Sequence, residues 1–173
     1  MRRMRSNYGF TLLELLVTLA IVSILVAVAV PAMGDLVGSS RSKVVRKQLQ
    51  SFLARARSHA LLEAQVVTIC RLDDNGSCLD ELGFPLSMFT DPDRDAAMGA
   101  GEILLSTLDI DLAEETELLW NRNNYLRYWP SGGTGALTGS LSYCHQFDNQ
   151  HEFRIVLART GRTRVDFDET RCD

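Results

Sequence analysis

Gly9-Phe10-Thr11-Leu12-Leu13-Glu14, running into an apolar segment that ends near Met33, is the stretch on which the reading of this 173-residue chain turns. Ahead of it stand nine residues that include Arg2, Arg3 and Arg5. About 20 apolar residues suffice to cross a bilayer as a helix, and the segment has that length. Basic residues on the short N-terminal flank place that flank in the cytoplasm. One carboxylate, Glu14, interrupts the run near its cytoplasmic end. At mid-bilayer such a charge costs about 2.5–3.5 kcal/mol on insertion scales, and less near an interface. An intramembrane acid marks function by default and needs an ionic partner. A secretory signal is the plainer account of a basic head and an apolar core, with cleavage after Val28-Ala29-Val30-Pro31-Ala32. It leaves Glu14 and the Gly9-Phe10 junction unexplained.

Past the apolar run the helical period continues. Val45, Leu49, Phe52, Ala56 and Ala60 recur at steps of three and four, one face of a helix. Arg41, Lys43, Arg46, Lys47, Arg55 and Arg57 occupy the rest of its surface. The helix is expected to run from Phe10 to about Ala64, its second half lying across a sheet. The period then changes to two. Val66 to Cys70 reads as a strand and Asp73-Asp74-Asn75-Gly76 as a turn. Further short strands are expected at Phe84 to Phe89, Glu102 to Leu108, Glu117 to Trp120 and Leu126 to Trp129. Leu141 to Cys144, Phe153 to Ala158 and Thr163 to Phe167 read as a three-stranded antiparallel end. One long helix followed by many short strands is an α+β arrangement.

Cys70, Cys78, Cys144 and Cys172 all follow the membrane segment. An even number in an exported domain favours disulfides, and three pairings are possible. Cys70 with Cys78 and Cys144 with Cys172 is the pairing expected here, because each closes within one sub-region. By chain entropy these loops contribute about 2–3 and 3–4 kcal/mol respectively. A metal site built from Cys144, His145, His151 and Cys172 matches no standard zinc spacing, and an oxidising compartment disfavours free thiolates.

The motif Gly9-Phe10-Thr11-Leu12-Leu13-Glu14 closely resembles the class III signal of type IV pilins and type II secretion pseudopilins. The resemblance implies cleavage by a prepilin peptidase between Gly9 and Phe10, N-methylation of Phe10, and a mature chain that begins there. It implies that Glu14 pairs with the ammonium of Phe10 on a neighbouring subunit during assembly. Pairing of a buried charge would then select the register of each added subunit. Residues 52–70 resemble the helix end and first strand of the GspH/FimT group. Asp91-Pro92-Asp93-Arg94-Asp95 with Gly101-Glu102-Ile103-Leu104 resembles that group's acidic loop, and Arg159 to Arg164 resembles the C-terminal end of its FimT-like and FimU-like minor pilins. The implied fold is the α+β pilin fold, a long N-terminal helix packed on an antiparallel sheet domain. The expected organisation is a removed leader at 1–9, a transmembrane and assembly helix at 10–33, its amphipathic continuation at 34–64, and a β-rich periplasmic domain at 65–173. The expected location is the inner membrane as a single-pass protein, then a pilus on the cell surface, with other major and minor pilins as partners.

Two clusters carry candidate chemistry. Arg154, Arg159, Arg162 and Arg164 fall within eleven residues. Residues two apart on a strand share a face, so Arg162 and Arg164 are expected side by side, two guanidinium forks set to hold successive phosphates. In FimT-like minor pilins of naturally competent bacteria a Gly-Arg-x-Arg motif in this region is associated with DNA binding, and here it reads Gly161-Arg162-Thr163-Arg164. The implied ligand is double-stranded DNA, bound non-specifically during uptake with Kd of about 10⁻⁴–10⁻⁶ M. The plainer reading is an edge strand charged against aggregation, its arginines paired with Asp166, Asp168 and Glu169. The corresponding alternative function is a structural or priming pilin, or a secretion pseudopilin, with no DNA contact. Loss of the leader's three arginines leaves 15 basic and 22 acidic residues, a net charge of −7, so DNA contact requires a local patch.

The second cluster is acidic. Asp91, Asp93, Asp95 and Glu102 occupy positions 1, 3, 5 and 12 of a twelve-residue calcium-loop register. Ala96 stands at position 6, where that loop needs glycine, and a solvated hairpin loop with its carboxylates in water is the expectation. His59, His145 and His151 have no evident nucleophile or acid around them, so neither an enzyme nor a cofactor is expected.

Overall fold

The computed structural model describes residues 11–112, 116–122, 124–145, 151–167 and 172. Gly9 and Phe10, the cleavage and methylation positions, and Asp168 and Glu169, the expected arginine partners, lie outside them. The chain divides into two compact units, residues 1–40 and 41–173.

Helix α1 spans Leu12–Leu62. Thr11 begins it, its hydroxyl accepting the Glu14 amide at 3.2 Å, so a Thr-x-x-Glu capping sequence sets the start. Glu14 lies in the first turn, where a negative charge favourably meets the helix dipole. In the first unit Leu12–Val30 has a mean hydropathy of 2.7 and is wholly exposed. The two hydroxyls in it are satisfied locally: Thr18 donates to the Leu15 carbonyl at 2.9 Å and Ser23 to that of Ala20 at 2.8 Å. This is how a hydroxyl is tolerated in an apolar helix. The helix ends at Leu62, and Ala64 just beyond it takes a left-handed conformation, φ 52°.

In the second unit α1 buries the stripe that its period defines. Val45, Leu49, Phe52, Ala56 and Ala60 are buried, joined by Leu53. Arg57 is one of the basic residues on the rest of the helix surface. It is half-buried and donates through Nε to the Gly132 carbonyl at 2.8 Å.

Among the described residues eight strands follow: β1 Val67–Cys70, β2 Leu86–Thr90, β3 Leu104–Leu108, β4 Thr116–Trp120, β5 Tyr125–Tyr128, β6 Gly139–His145, β7 Phe153–Leu157 and β8 Thr163–Asp166. They form two four-stranded antiparallel sheets, ordered β3-β2-β1-β5 and β4-β6-β7-β8. The expected three-stranded end is present as β6, β7 and β8, with β4 added at the far side of β6. Both sheets contribute to one core with the helix stripe. Val67, Ile69, Leu86, Met88, Leu126 and Tyr128 come from the first sheet. Leu118, Leu141, Tyr143, Phe153, Ile155 and Leu157 come from the second. The Tyr143 ring stacks on Phe153, centroids 5.0 Å apart.

Cys70 at the end of β1 is bonded to Cys78, and Cys144 in β6 to Cys172. With all four sulfurs joined, no thiolate remains for a Cys-His metal site.

Within the first sheet, strand alternation sends Thr68 and Arg127, paired across β1 and β5, to one face. Asp91 follows β2 and meets them there. Arg127 Nη2 lies 2.6 Å from Asp91 Oδ2, and Arg127 Nε donates to Thr68 Oγ1 at 2.9 Å. The Thr68 hydroxyl also donates to Asp91 Oδ2. The two charged side chains are 7% and 0% exposed. Asp91 is therefore not one of the solvated carboxylates expected of its loop, whereas Asp93 and Asp95 are exposed. Removing one partner of such a buried pair strands the other charge, at a cost of about 3–5 kcal/mol. Arg127→Met is expected to lower unfolding free energy by about that amount. The urea midpoint of the mature chain in detergent measures it; a midpoint near that of the parent would mean that Asp91 is not held by this pair.

Candidate nucleic-acid interface

Strands β7 and β8 form a hairpin at the edge of the second sheet. Its turn is closed by the Ala158 amide donating to the Arg162 carbonyl at 3.0 Å and by the Gly161 amide donating to that of Ala158 at 2.8 Å. Gly161 has φ +74°, and a Cβ built on it would lie 2.0 Å from the Gly132 carbonyl oxygen. Only glycine fits at this close approach of two backbones. The loop carrying Gly132 is fastened to the same turn. Thr134 donates its amide to the Arg159 carbonyl at 3.0 Å and its hydroxyl to that of Ala158 at 3.1 Å. The glycine of the Gly-Arg-Thr-Arg sequence thus has a packing reason of its own.

The four arginines of the cluster have distinct settings. Arg154 is half-buried on β7 and pairs with Asp166 of β8, its cross-strand neighbour, at 3.2 Å. Arg159 is exposed, with Nε 3.3 Å from the Gly135 carbonyl oxygen. Arg162 and Arg164 are both exposed. Their spacing predicts one shared face; the structure instead seats them in two depressions. Arg164 lines one of about 270 Å³ with Arg122, Arg154, Ser140 and Val156. Arg162 lines another of about 290 Å³ with Arg57, Ser58, Tyr128 and Gly161. The reason is that Arg162 precedes β8, next to a left-handed glycine, and lies outside the strand alternation that governs Arg164.

Arg57 and Arg122 are additions to the expected cluster. Arg122 follows β4, which pairs with β6, so a tertiary pairing brings it beside Arg154 and Arg164; no local motif marks it. Tyr128 lines the second depression. Burial pushes its phenol well above the usual tyrosine range, opposed by the nearby Arg57 charge, so it stays a neutral hydroxyl.

The acidic loop lies elsewhere. Carboxylate oxygens of Asp91, Asp93 and Asp95 all fall within 4.8 Å of one another. Glu102 has its pKa raised, chiefly by burial and further by the charges of these three aspartates, against a hydrogen bond from the Gly99 amide. No catalytic grouping of nucleophile, base and acid is found among the described residues.

A family model described as "Type II transport protein GspH" matches residues 46–161, and one described as "Prokaryotic N-terminal methylation motif" matches residues 4–30. No curated protein sequence gives a significant match. Among solved structures, the type IV minor pilin FimU of Pseudomonas aeruginosa strain PAO1 is similar in two crystal forms. One has a TM-score of 0.55 at 17% identity, covering 79% of this chain and 92% of that one. The other has a TM-score of 0.52 at 17% identity, covering 73% and 90%. That likeness is one of fold: an N-terminal helix followed by antiparallel sheets, the α+β pilin fold.

Gly161→Ala is expected to destabilise the domain by about 2–4 kcal/mol, combining a left-handed alanine with a backbone collision. Thermal unfolding of the variant measures this. An unshifted midpoint would contradict the close approach of Gly161 and Gly132.

Proposed function

The chain belongs to the GspH family of type IV minor pilins and pseudopilins, and on that premise we propose that its β7–β8 edge contacts the phosphate backbone of double-stranded DNA. As a pilin it is a structural, non-enzymatic subunit. Its N-terminal methylation motif implies processing by prepilin peptidase and assembly with other pilins. The apolar helix fits residence in the inner membrane before the pilus or pseudopilus. Within that role we assign Gly9 and Phe10 to cleavage and methylation, and Glu14 to pairing with a neighbour's Phe10 ammonium.

One observation carries the DNA reading. In a mature chain of net charge −7, exposed Arg159, Arg162 and Arg164 stand on the β7–β8 hairpin, and exposed Arg122, from the far side of the same sheet, lines one depression with Arg164. Guanidinium groups in shallow open depressions suit phosphate oxygens, which they grip without reading base sequence. Arg164 and Arg162, seated in separate depressions, would hold phosphates at separate points, so the contact is a patch rather than one two-pronged clamp. Arg154 contributes from within its ion pair with Asp166, and Gly161 sets the turn that presents Arg162.

The family description also supports a second reading, a subunit of a type II secretion pseudopilus whose only ligands are other pilins. DNA binding separates the two. In fluorescence anisotropy with a labelled duplex, the mature chain is expected to bind with Kd of about 10⁻⁴–10⁻⁶ M at physiological salt. Changing Arg162 and Arg164 together to Gln is expected to weaken binding roughly tenfold or more and to flatten the log Kd–log salt slope by about two. No binding by the parent would remove the DNA reading and leave the pseudopilin one, and equal affinity and slope in parent and variant would take the contact away from the β7–β8 edge.

A further inference from the structure

We infer that the loop between β2 and β3 is a calcium site, with carboxylate oxygens of Asp91, Asp93, Asp95 and Glu102 as its donors. The inference is independent of DNA contact, since it rests on a different part of the domain.

Two buried oxygens carry it. Asp91 is 0% exposed, and its Oδ2 is taken up by Arg127 and Thr68, while its Oδ1 is buried with no hydrogen-bond partner. Glu102 repeats the pattern at the other end of the loop: Oε2 accepts the Gly99 amide at 2.7 Å, and Oε1 is buried without a partner. A carboxylate oxygen removed from water and given no donor is costly, and native structures almost always satisfy such an atom. Here two stand in one loop, and each belongs to a carboxylate whose other oxygen is already bonded. A bound cation would satisfy both acceptors where no protein donor reaches them.

The charges point the same way. Carboxylate oxygens of Asp91, Asp93 and Asp95 lie within 4.8 Å of one another, and Glu102 feels the charge of all three. Oxygens bound to one calcium at 2.3–2.6 Å are separated by no more than about 5 Å. Like charges this close disfavour joint ionisation unless a cation sits among them. Arg127 offsets one of the four. The loop's own Arg94 lies over the Trp129 ring, 5.4 Å from its centroid. One oxygen of each of the two exposed aspartates meets the backbone: Asp95 Oδ1 accepts the Ala97 amide at 2.8 Å, and Asp93 Oδ1 lies 3.5 Å from the Asp95 amide.

The sequence objection to calcium was Ala96 at the position where the loop needs glycine. Ala96 has φ +61°, so it takes up the left-handed conformation that glycine would supply, and the objection falls. The donor set selects among metals. Hard carboxylates with no nitrogen or sulfur ligand favour calcium over zinc. Magnesium dehydrates reluctantly and prefers one or two carboxylates with several waters, whereas calcium accepts a cage of this kind. Such a site would clamp the end of β2 to the start of β3, and its Asp91 donor is already fixed by the Arg127 pair.

The test uses the full mature chain in detergent, stripped of metal by a chelator, with calcium chloride as the probe. Equilibrium dialysis is expected to find one saturable site with Kd of about 10⁻⁴–10⁻³ M, the range of extracellular modules. Thermal unfolding is expected to shift several degrees upward in millimolar calcium and much less in equal magnesium. Asp93→Asn with Asp95→Asn, isosteric changes at exposed positions, is expected to lose binding at least tenfold while unfolding like the parent in chelator. Glu102→Gln is expected to lose at least tenfold as well. No saturable binding up to about 10 mM, or parental affinity in either variant, would overturn the assignment.

Discussion

An apolar helix with a carboxylate in its first turn has to be covered by something, and the chain itself does not do it. Leu12–Val30 is wholly exposed, and Glu14 lies at its start. Lipid satisfies the apolar side chains, but it offers nothing to the anion. Family membership supplies the solution we propose. The helix rests first in the inner membrane and then among other such helices, where a freed N-terminal ammonium neutralises Glu14. Local chemistry accommodates every other polar group in the segment: Thr11 caps the first turn, and Thr18 and Ser23 bond back to carbonyls three residues earlier. Glu14 alone needs a partner from outside.

From Arg41 onward the same helix is covered by its own chain. The stripe from Val45 to Ala60 shares a core with both sheets, and the same helix places Arg57 in the depression that Arg162 lines. The sites lie where the sheets run out. Gly161 and Gly132 meet so closely that the β7–β8 turn has little freedom, and a rigid turn is a good mount for exposed arginines. At the other sheet, Asp91 is both one half of a buried ion pair and the first carboxylate of the acidic loop. A residue with two such duties ties the loop to the sheet's interior.

What was legible in the sequence was local. The apolar run after Phe10, the three- and four-residue steps from Val45 to Ala60, and the two-residue period of the strands are written in neighbouring residues, and the described elements lie within a few positions of their expected places. What depends on pairing across the chain was not legible. Nothing near Leu126 indicates that β5 returns to β1 while β4 joins β6, and so nothing places Arg122 beside Arg164. The two-residue spacing of Arg162 and Arg164 misled because one lies in a strand and the other in a turn. The burial of Asp91 is not written in its own loop, because its partners, Thr68 and Arg127, are 23 and 36 residues away.

The account stands on the identity of the mature N-terminus, which intact-mass spectrometry of the membrane-extracted protein determines directly. It predicts a chain that begins at Phe10 and carries one methyl group on the phenylalanine nitrogen. A chain that begins at Met1, or one cut after the small residues near position 32, would contradict it, because the first leaves Glu14 no Phe10 ammonium to meet and the second removes Glu14 altogether.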